Sequence, residues 1–227
     1  MDVEPPDTAC CEAVRGIEHI AVVRSVRGYR GLARDTPARW GRGFDLLVTP
    51  TTAAPELLPR HRPYSVCLVC TGNICRSPMA AAVLTELSSS RSVTGGGTLA
   101  DLLTVTSAGT GGWHAGEPMD PRARTALAAR GYRDYGHVAH RLAPAELDRL
   151  DLVVALDRGH AREVRRLGDV PVVLLRSFDP ASGDAADVPD PYYGDDAAFA
   201  ECLTVVEGAC QGLAAHLAGH LGAPPGA

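Results

Sequence analysis

The 227-residue sequence contains no lysine; every fixed positive charge is an arginine. With its richness in alanine and glycine, that reads as coding bias in a GC-rich genome rather than functional pressure. No apolar run approaches the ~18 residues a membrane-spanning helix needs. No basic stretch followed by an apolar one marks a secretory leader, so none is expected. The formal net charge of −5 argues against nucleic acid or an anionic membrane as partner. A disulfide scaffold is also unsupported: the seven cysteines are odd in number and irregularly spaced. They suit a reducing compartment, and a cytoplasmic location is expected. A metal-ligand set is missing too. His137 and His140 have helix-compatible spacing, but no cysteine or carboxylate completes a site. They read as surface histidines, and neither metal nor cofactor is expected.

What is present is one dense string, Val69-Cys70-Thr71-Gly72-Asn73-Ile74-Cys75-Arg76-Ser77-Pro78. It follows a short apolar run, Tyr64 to Val69, and precedes an apparent helix. A loop at a helix N-terminus aims several backbone N–H groups at one spot, and the helix dipole adds partial positive charge there. A phosphate fits that spot. Gly72 and Asn73 tolerate the left-handed backbone that such a loop requires. Arg76 offers a planar fork for two phosphate oxygens. The dipole and Arg76 together favour a thiolate at Cys70, at the mouth. Pro78 suits the first helical position, which makes Ser77 the N-cap. The Ser77 hydroxyl then either caps the helix or donates to the Cys70 sulfur. The string points to nucleophilic chemistry on phosphate esters.

Residues 1–62 read differently from the rest. They hold Pro5-Pro6, scattered arginines and only short apolar pieces such as Ile20 to Val23. This segment is expected to be a disordered or loosely packed extension. From Tyr64 onward strands alternate with helices. Strands are expected at Tyr64–Val69, Leu102–Ser107, Leu152–Leu156 and Val170–Leu175. Helices are expected from Pro78 to about Ser90, Pro121 to about Arg130, and Arg158 to Leu167. A short helix is expected from Pro144, and a last one runs from Asp195 or Asp196 to about Gly219. The pattern predicts an α/β fold with a four-stranded parallel sheet covered on both faces. Ligands in such folds sit at the C-terminal edge of the strands, where Cys70 lies.

A leaving alkoxide or phenoxide needs a proton, so an acid must face the loop. Asp190 is the candidate, in Asp187-Val188-Pro189-Asp190-Pro191-Tyr192-Tyr193-Gly194, with Asp187 as its rival. Trp113, in the glycine-rich stretch after the second strand, and Tyr192, with Tyr193 beside it, offer walls for an aryl slot. Asp148, Asp151 and Asp157 read as caps and surface charges. Cys202 and Cys210 read as packing residues of the last helix.

These residues resemble the low-molecular-weight protein tyrosine phosphatases, and the bacterial members similar to the mycobacterial and streptomycete enzymes above all. The resemblance is carried by Cys70 to Pro78, by Ser107-Ala108-Gly109-Thr110 with Trp113, and by Asp190-Pro191-Tyr192-Tyr193. Leu156-Asp157-Arg158 and Arg176-Ser177-Phe178-Asp179-Pro180 add to it. It implies the flavodoxin-like strand order 2-1-3-4 and a metal-free, two-step reaction. In that reaction Cys70 is the nucleophile and accepts the phosphoryl group. Arg76 and the amides from Thr71 through Gly72, Asn73, Ile74 and Cys75 to Ser77 hold its oxygens, and Asp190 is acid and then base. It implies that Asn73 braces the loop, Ser77 stabilises the thiolate, and Trp113 and Tyr192 frame the phenyl ring. It also implies a reversible Cys70–Cys75 disulfide, and Tyr192 and Tyr193 as positions that kinases phosphorylate. A phosphotyrosine protein or a small aryl phosphate is the implied partner, met by a monomer. The resemblance spans about 64–220, so the expected division is an extension over 1–62, a phosphatase domain over 63–220 and a tail over 221–227. The extension is either a true tail or the product of a start assigned too far upstream. Two rivals stay open: an arsenate reductase on the same fold, and a phosphotyrosine-binding module without catalysis.

Overall fold

The computed structural model describes residues 63–183 and 187–222. The expected extension over 1–62 and all but the first two residues of the expected tail lie outside the described residues.

The strands are β1 (Tyr64–Cys70), β2 (Leu103–Gly109), β3 (Leu152–Ala155) and β4 (Val172–Leu174). They form one parallel sheet in the order β2-β1-β3-β4, as expected. The helices are α1 (Arg76–Ser90), α2 (Pro121–Ala129), α3 (Arg158–Leu167) and α4 (Asp196–Leu221). Short 3-10 turns cover Leu99–Asp101, Pro144–Arg149 and Leu175–Phe178.

β1 lies inside the sheet between β2 and β3, and its two faces are covered by α1 on one side and by α3 with the segment 142–150 on the other. That is why Val66, Leu68 and Val69 form a nearly unbroken apolar run, all fully buried. One sheet face, with Cys67, Val69, Val153 and Ala155, packs with Leu142, Leu147 and Leu150 and with Ala161 and Val164 of α3. The alternate residues Val66, Leu68 and Val154 point the other way, where α1 packs on the sheet and against α4, which α2 also joins. α4 buries a stripe at helical spacing, Phe199, Cys202, Leu203, Val206, Ala209, Cys210, Leu213 and Leu217. Each such apolar side chain contributes about 1.5–3 kcal/mol when fully buried. Cys202 and Cys210 are packing residues, as expected.

Several boundaries shift. α1 begins at Arg76 with Cys75 at its N-cap, so Ser77 is its second residue and not its cap. Pro78 is third rather than first. The first four helical N–H groups lack intrahelical partners, so proline is tolerated anywhere in that turn and does not mark its first residue. β4 is shorter than expected because Leu175 turns into a 3-10 segment. Asp195 caps α4 by accepting from Ala198 N, which settles the choice between Asp195 and Asp196. Asp151 is not a surface charge: it is buried and accepts from Ser65 N at 2.8 Å.

Candidate active site

The register of the sheet places Cys70 opposite Gly109 at the C-terminal edge of β1 and β2. The backbone then turns through Asn73 at φ 57°, the one non-glycine residue with positive φ among the described residues. The turn is held by the Asn73 side chain and backbone. Its Nδ2 donates to Ser77 Oγ at 2.9 Å and Ser107 Oγ at 3.0 Å. Its Oδ1 accepts from His140 N at 3.0 Å, and its carbonyl lies 2.6 Å from His137 Nε2. A carbonyl only accepts, so His137 carries its proton on Nε2. Burial pushes the His137 pKa below the ordinary histidine value. The reading of His137 as a surface histidine is therefore corrected: it braces the loop from behind. A side chain at Gly109 would strike Thr71 O and Gly111 O within 3 Å, which explains glycine at this edge.

Two donors face the Cys70 sulfur. Asn73 N donates to Sγ at 3.3 Å, and Ser77 Oγ lies 3.0 Å from it. Ser77 Oγ already accepts from Asn73 Nδ2, and its own proton has two acceptors in reach, Cys70 Sγ and Ala108 O at 3.3 Å. Ser77 thus sits where a serine that stabilises the sulfur has to sit, although it does not cap the helix. Cys75 is buried and 3.9 Å from Asp120 Oδ2. Burial first, and the Asp120 charge second, raise its pKa far above the usual thiol value.

Arg76 is only 5% exposed. A buried cation needs partners, and it has two carboxylates: Asp157 at 3.1 Å from Nη1 and Asp190 at 2.6 Å from Nη2. Asp157 also caps α3, accepting from His160 N at 2.8 Å. Its reading as a cap holds, but its tie to Arg76 was missed. His160, 4% exposed, places Nε2 2.8 Å from Thr71 Oγ1 and Nδ1 3.1 Å from Asp157 Oδ2. Burial lowers its pKa more than Asp157 raises it; it braces the loop through Thr71, while Nδ1 faces Asp157 without hydrogen-bond geometry.

Cys70, Thr71, Gly72, Ile74, Cys75, Arg76, Trp113, His114, Asp190, Tyr192 and Tyr193 line one cleft of about 410 Å³. The sequence-derived site residues therefore meet in one place, with Asn73 and Ser77 beneath it. Trp113 is 76% exposed and lies over Gly111. Tyr192 packs edge-on to Tyr193, at 5.0 Å between centroids, and its other ring neighbour is His114 at 6.1 Å. Asp187 instead accepts from Arg158 N and stands outside the cleft lining. The residues that sequence reasoning missed are Asp157 toward Arg76, His160 and His114. Asp157 had one usable signal, its position just past a strand's C-terminal end. No helix of the described residues is long and apolar enough to cross a membrane, and among them no cluster of potential metal ligands occurs.

The family model for the low molecular weight phosphotyrosine protein phosphatases matches residues 65–221. A low molecular weight protein-tyrosine-phosphatase of Streptomyces coelicolor is 51% identical over 158 residues, covering 67% of this chain and 92% of that protein. Low molecular weight protein-tyrosine phosphatase A of Mycobacterium tuberculosis is 49% identical over 156 residues, covering 66% and 90%. Among solved structures, YfkJ of Bacillus subtilis superposes with a TM-score of 0.60 at 32% identity, covering 70% of this chain and 96% of that one. A protein tyrosine phosphatase of Entamoeba histolytica with Hepes in its active site gives a TM-score of 0.62 at 27% identity, covering 68% and 96%. With its sheet order, its loop and a match over most of its length, this chain belongs to the low molecular weight phosphotyrosine protein phosphatase family.

Proposed function

We propose that this protein hydrolyses phosphotyrosine in proteins, or small aryl phosphates, through a phosphocysteine on Cys70 and without a metal or organic cofactor. The observation that carries the reading is the cleft itself. A sulfur with two donors aimed at it, a buried guanidinium and a carboxylate on a facing loop share one space.

Cys70 Sγ attacks phosphorus in line, and the S–P bond forms as the bond to the phenolic oxygen breaks. The loop amides from Thr71 to Ser77 and the Arg76 fork hold the equatorial oxygens, where charge collects in the transition state. Asp190 delivers its proton to the departing oxygen. A phosphoryl group on the loop competes with Asp190 for Arg76 Nη2, and so frees the carboxyl for this role. Asp190 then takes a proton from water, which attacks phosphorus and releases Cys70 as a thiolate held by Ser77. Trp113, Tyr192 and Tyr193 frame the aryl ring. We read residues 63–220 as the catalytic unit and the protein as a cytoplasmic monomer. Five free cysteines among the described residues support a reducing compartment. Cys75 is read as the partner for a reversible disulfide with Cys70 under oxidation.

Cys70→Ser should abolish hydrolysis of 4-nitrophenyl phosphate, while the native protein should work in excess chelator and be blocked by vanadate. Turnover that survives Cys70→Ser, or that depends on added metal, sinks the reading.

A further inference from the structure

Asp190 sits on an exposed loop, and an acid is useful only where its proton meets the leaving oxygen. Arg76 holds Asp190 directly and Val188 N donates to Leu156 O at 2.8 Å; beyond the acid, the loop is held by a side chain from another part of the fold. Arg122, in the first turn of α2, donates through Nη1 to Gly194 O at 2.7 Å and through Nη2 to Tyr192 O at 3.1 Å. The same guanidinium grips Asp120, with Nε to Oδ1 at 3.1 Å and Nη2 to Oδ2 at 2.8 Å. Its Cζ lies over the Phe199 ring, 4.5 Å from the centroid, a cation–π contact that adds to its hold. Asp120 is in turn anchored to the phosphate loop, since its N–H donates to Ile74 O at 2.9 Å. On the other side, Tyr192 N donates to Asp190 Oδ1 at 3.2 Å. One continuous chain therefore runs from the phosphate loop through Asp120, Arg122 and Tyr192 to the acid.

A bidentate grip on its own N-cap residue would explain an arginine at this position as a helix-end device. It does not explain two further bonds to carbonyls about seventy residues away. Those carbonyls belong to the turn that immediately follows the acid, closed by Gly194 N to Pro191 O at 2.8 Å.

We infer that Arg122 is a positioning residue for proton transfer, tying the Asp190 loop to the helix anchored on the phosphate loop. The inference rests on Asp190 being the acid. Arg122 touches no reacting atom, so its effect must appear where protonation of the leaving group matters. A nitrophenolate departs with little help from an acid, whereas an unsubstituted phenolate needs the proton.

The test compares kcat/KM for phenyl phosphate and 4-nitrophenyl phosphate in Arg122→Met, Arg122→Lys and Asp190→Asn, each in the full-length protein and checked for folding by thermal melting. Arg122→Met should lose roughly ten-fold on phenyl phosphate and stay within about two-fold on 4-nitrophenyl phosphate, since small misplacements of a catalytic group cost that much or more. Arg122→Lys keeps the charge but not the fork, should show the same selectivity to a lesser degree, and carries the test if Arg122→Met fails to fold. Equal losses on both substrates, or none on either, while Asp190→Asn remains selective, overturn the tether alone. An Asp190→Asn protein without leaving-group selectivity overturns the acid assignment and the tether with it.

Discussion

The two loops that meet in the cleft are built in opposite ways. In the phosphate loop Asn73, Cys75, Arg76 and Ser77 are all buried, and Asn73 alone bonds to five other residues. In the acid loop, Asp187, Pro189, Asp190, Tyr192, Tyr193 and Gly194 are exposed, Tyr193 at 97%, and only Val188 and Pro191 are buried. The first places charge-stabilising groups that must not move as charge develops. In the proposed mechanism the second carries the carboxylate that leaves Arg76, delivers a proton and later takes one back. Few buried contacts let a segment open at low cost. The contrast teaches that nucleophile geometry is a property of the core, while acid geometry is a property of a handful of surface bonds.

Substitutions can break that comparison. Asp190→Asn should lower kcat/KM for phenyl phosphate by roughly 100-fold or more, the range of a lost general acid. Its melting temperature should barely move, because Arg76 keeps Asp157. A large loss of stability in this variant would show that the acid loop is structural after all. Asn73→Ala should behave in the reverse order. It puts a Cβ-bearing residue without a local hydrogen bond at positive φ and strips Ser77, Ser107 and His140 of a partner. The expected cost is about 3 kcal/mol, read by urea unfolding, with activity falling alongside. Unchanged stability would mean the loop is not over-determined by Asn73.

The smallest effect concerns pH. Burial keeps the His160 pKa below the ordinary histidine value, so the native state holds it neutral. As pH falls below about 6.5 the unfolded chain gains a proton that the folded one refuses. Stability therefore drops through this window and levels off below the folded pKa, with a slope of up to about 1.4 kcal/mol per pH unit from this residue. His160→Gln should flatten that slope between pH 6.5 and pH 5, as measured by unfolding at each pH. An unchanged slope would remove His160 from the account.

Much of the fold was legible because its signals are local. Leu152 to Ala155 has no polar residue, which fits a strand covered on both faces. The Cys70-to-Arg76 spacing and Asn73 at positive φ are dictated by the turn itself; Gly72, expected to share the left-handed backbone, does not adopt it, and an added Cβ there would lie 2.9 Å from His114 Cδ2. Asp120-Pro121 and Asp157-Arg158 mark helix starts through their own hydrogen bonds. The start of α1 was misplaced by two residues because proline is tolerated throughout a first turn. The bracing shell was not legible. His137 lies on an irregular segment with no periodicity, and its partner Asn73 is 64 residues away. His160 meets Thr71 across 89 residues, and Arg122 meets Tyr192 across 70. Such contacts are fixed by topology, which brings strand ends together, and leave no pattern along the chain.

The central claim is that Cys70 accepts the phosphoryl group. It is tested most directly by rapidly quenching a reaction with an aryl phosphate and locating the transferred group by peptide mass spectrometry. The account predicts one phosphoryl group on the peptide containing Cys70, lost in Cys70→Ser. A phosphoryl group on any other residue, or single-turnover release of phosphate with no phosphoenzyme formed, would contradict it.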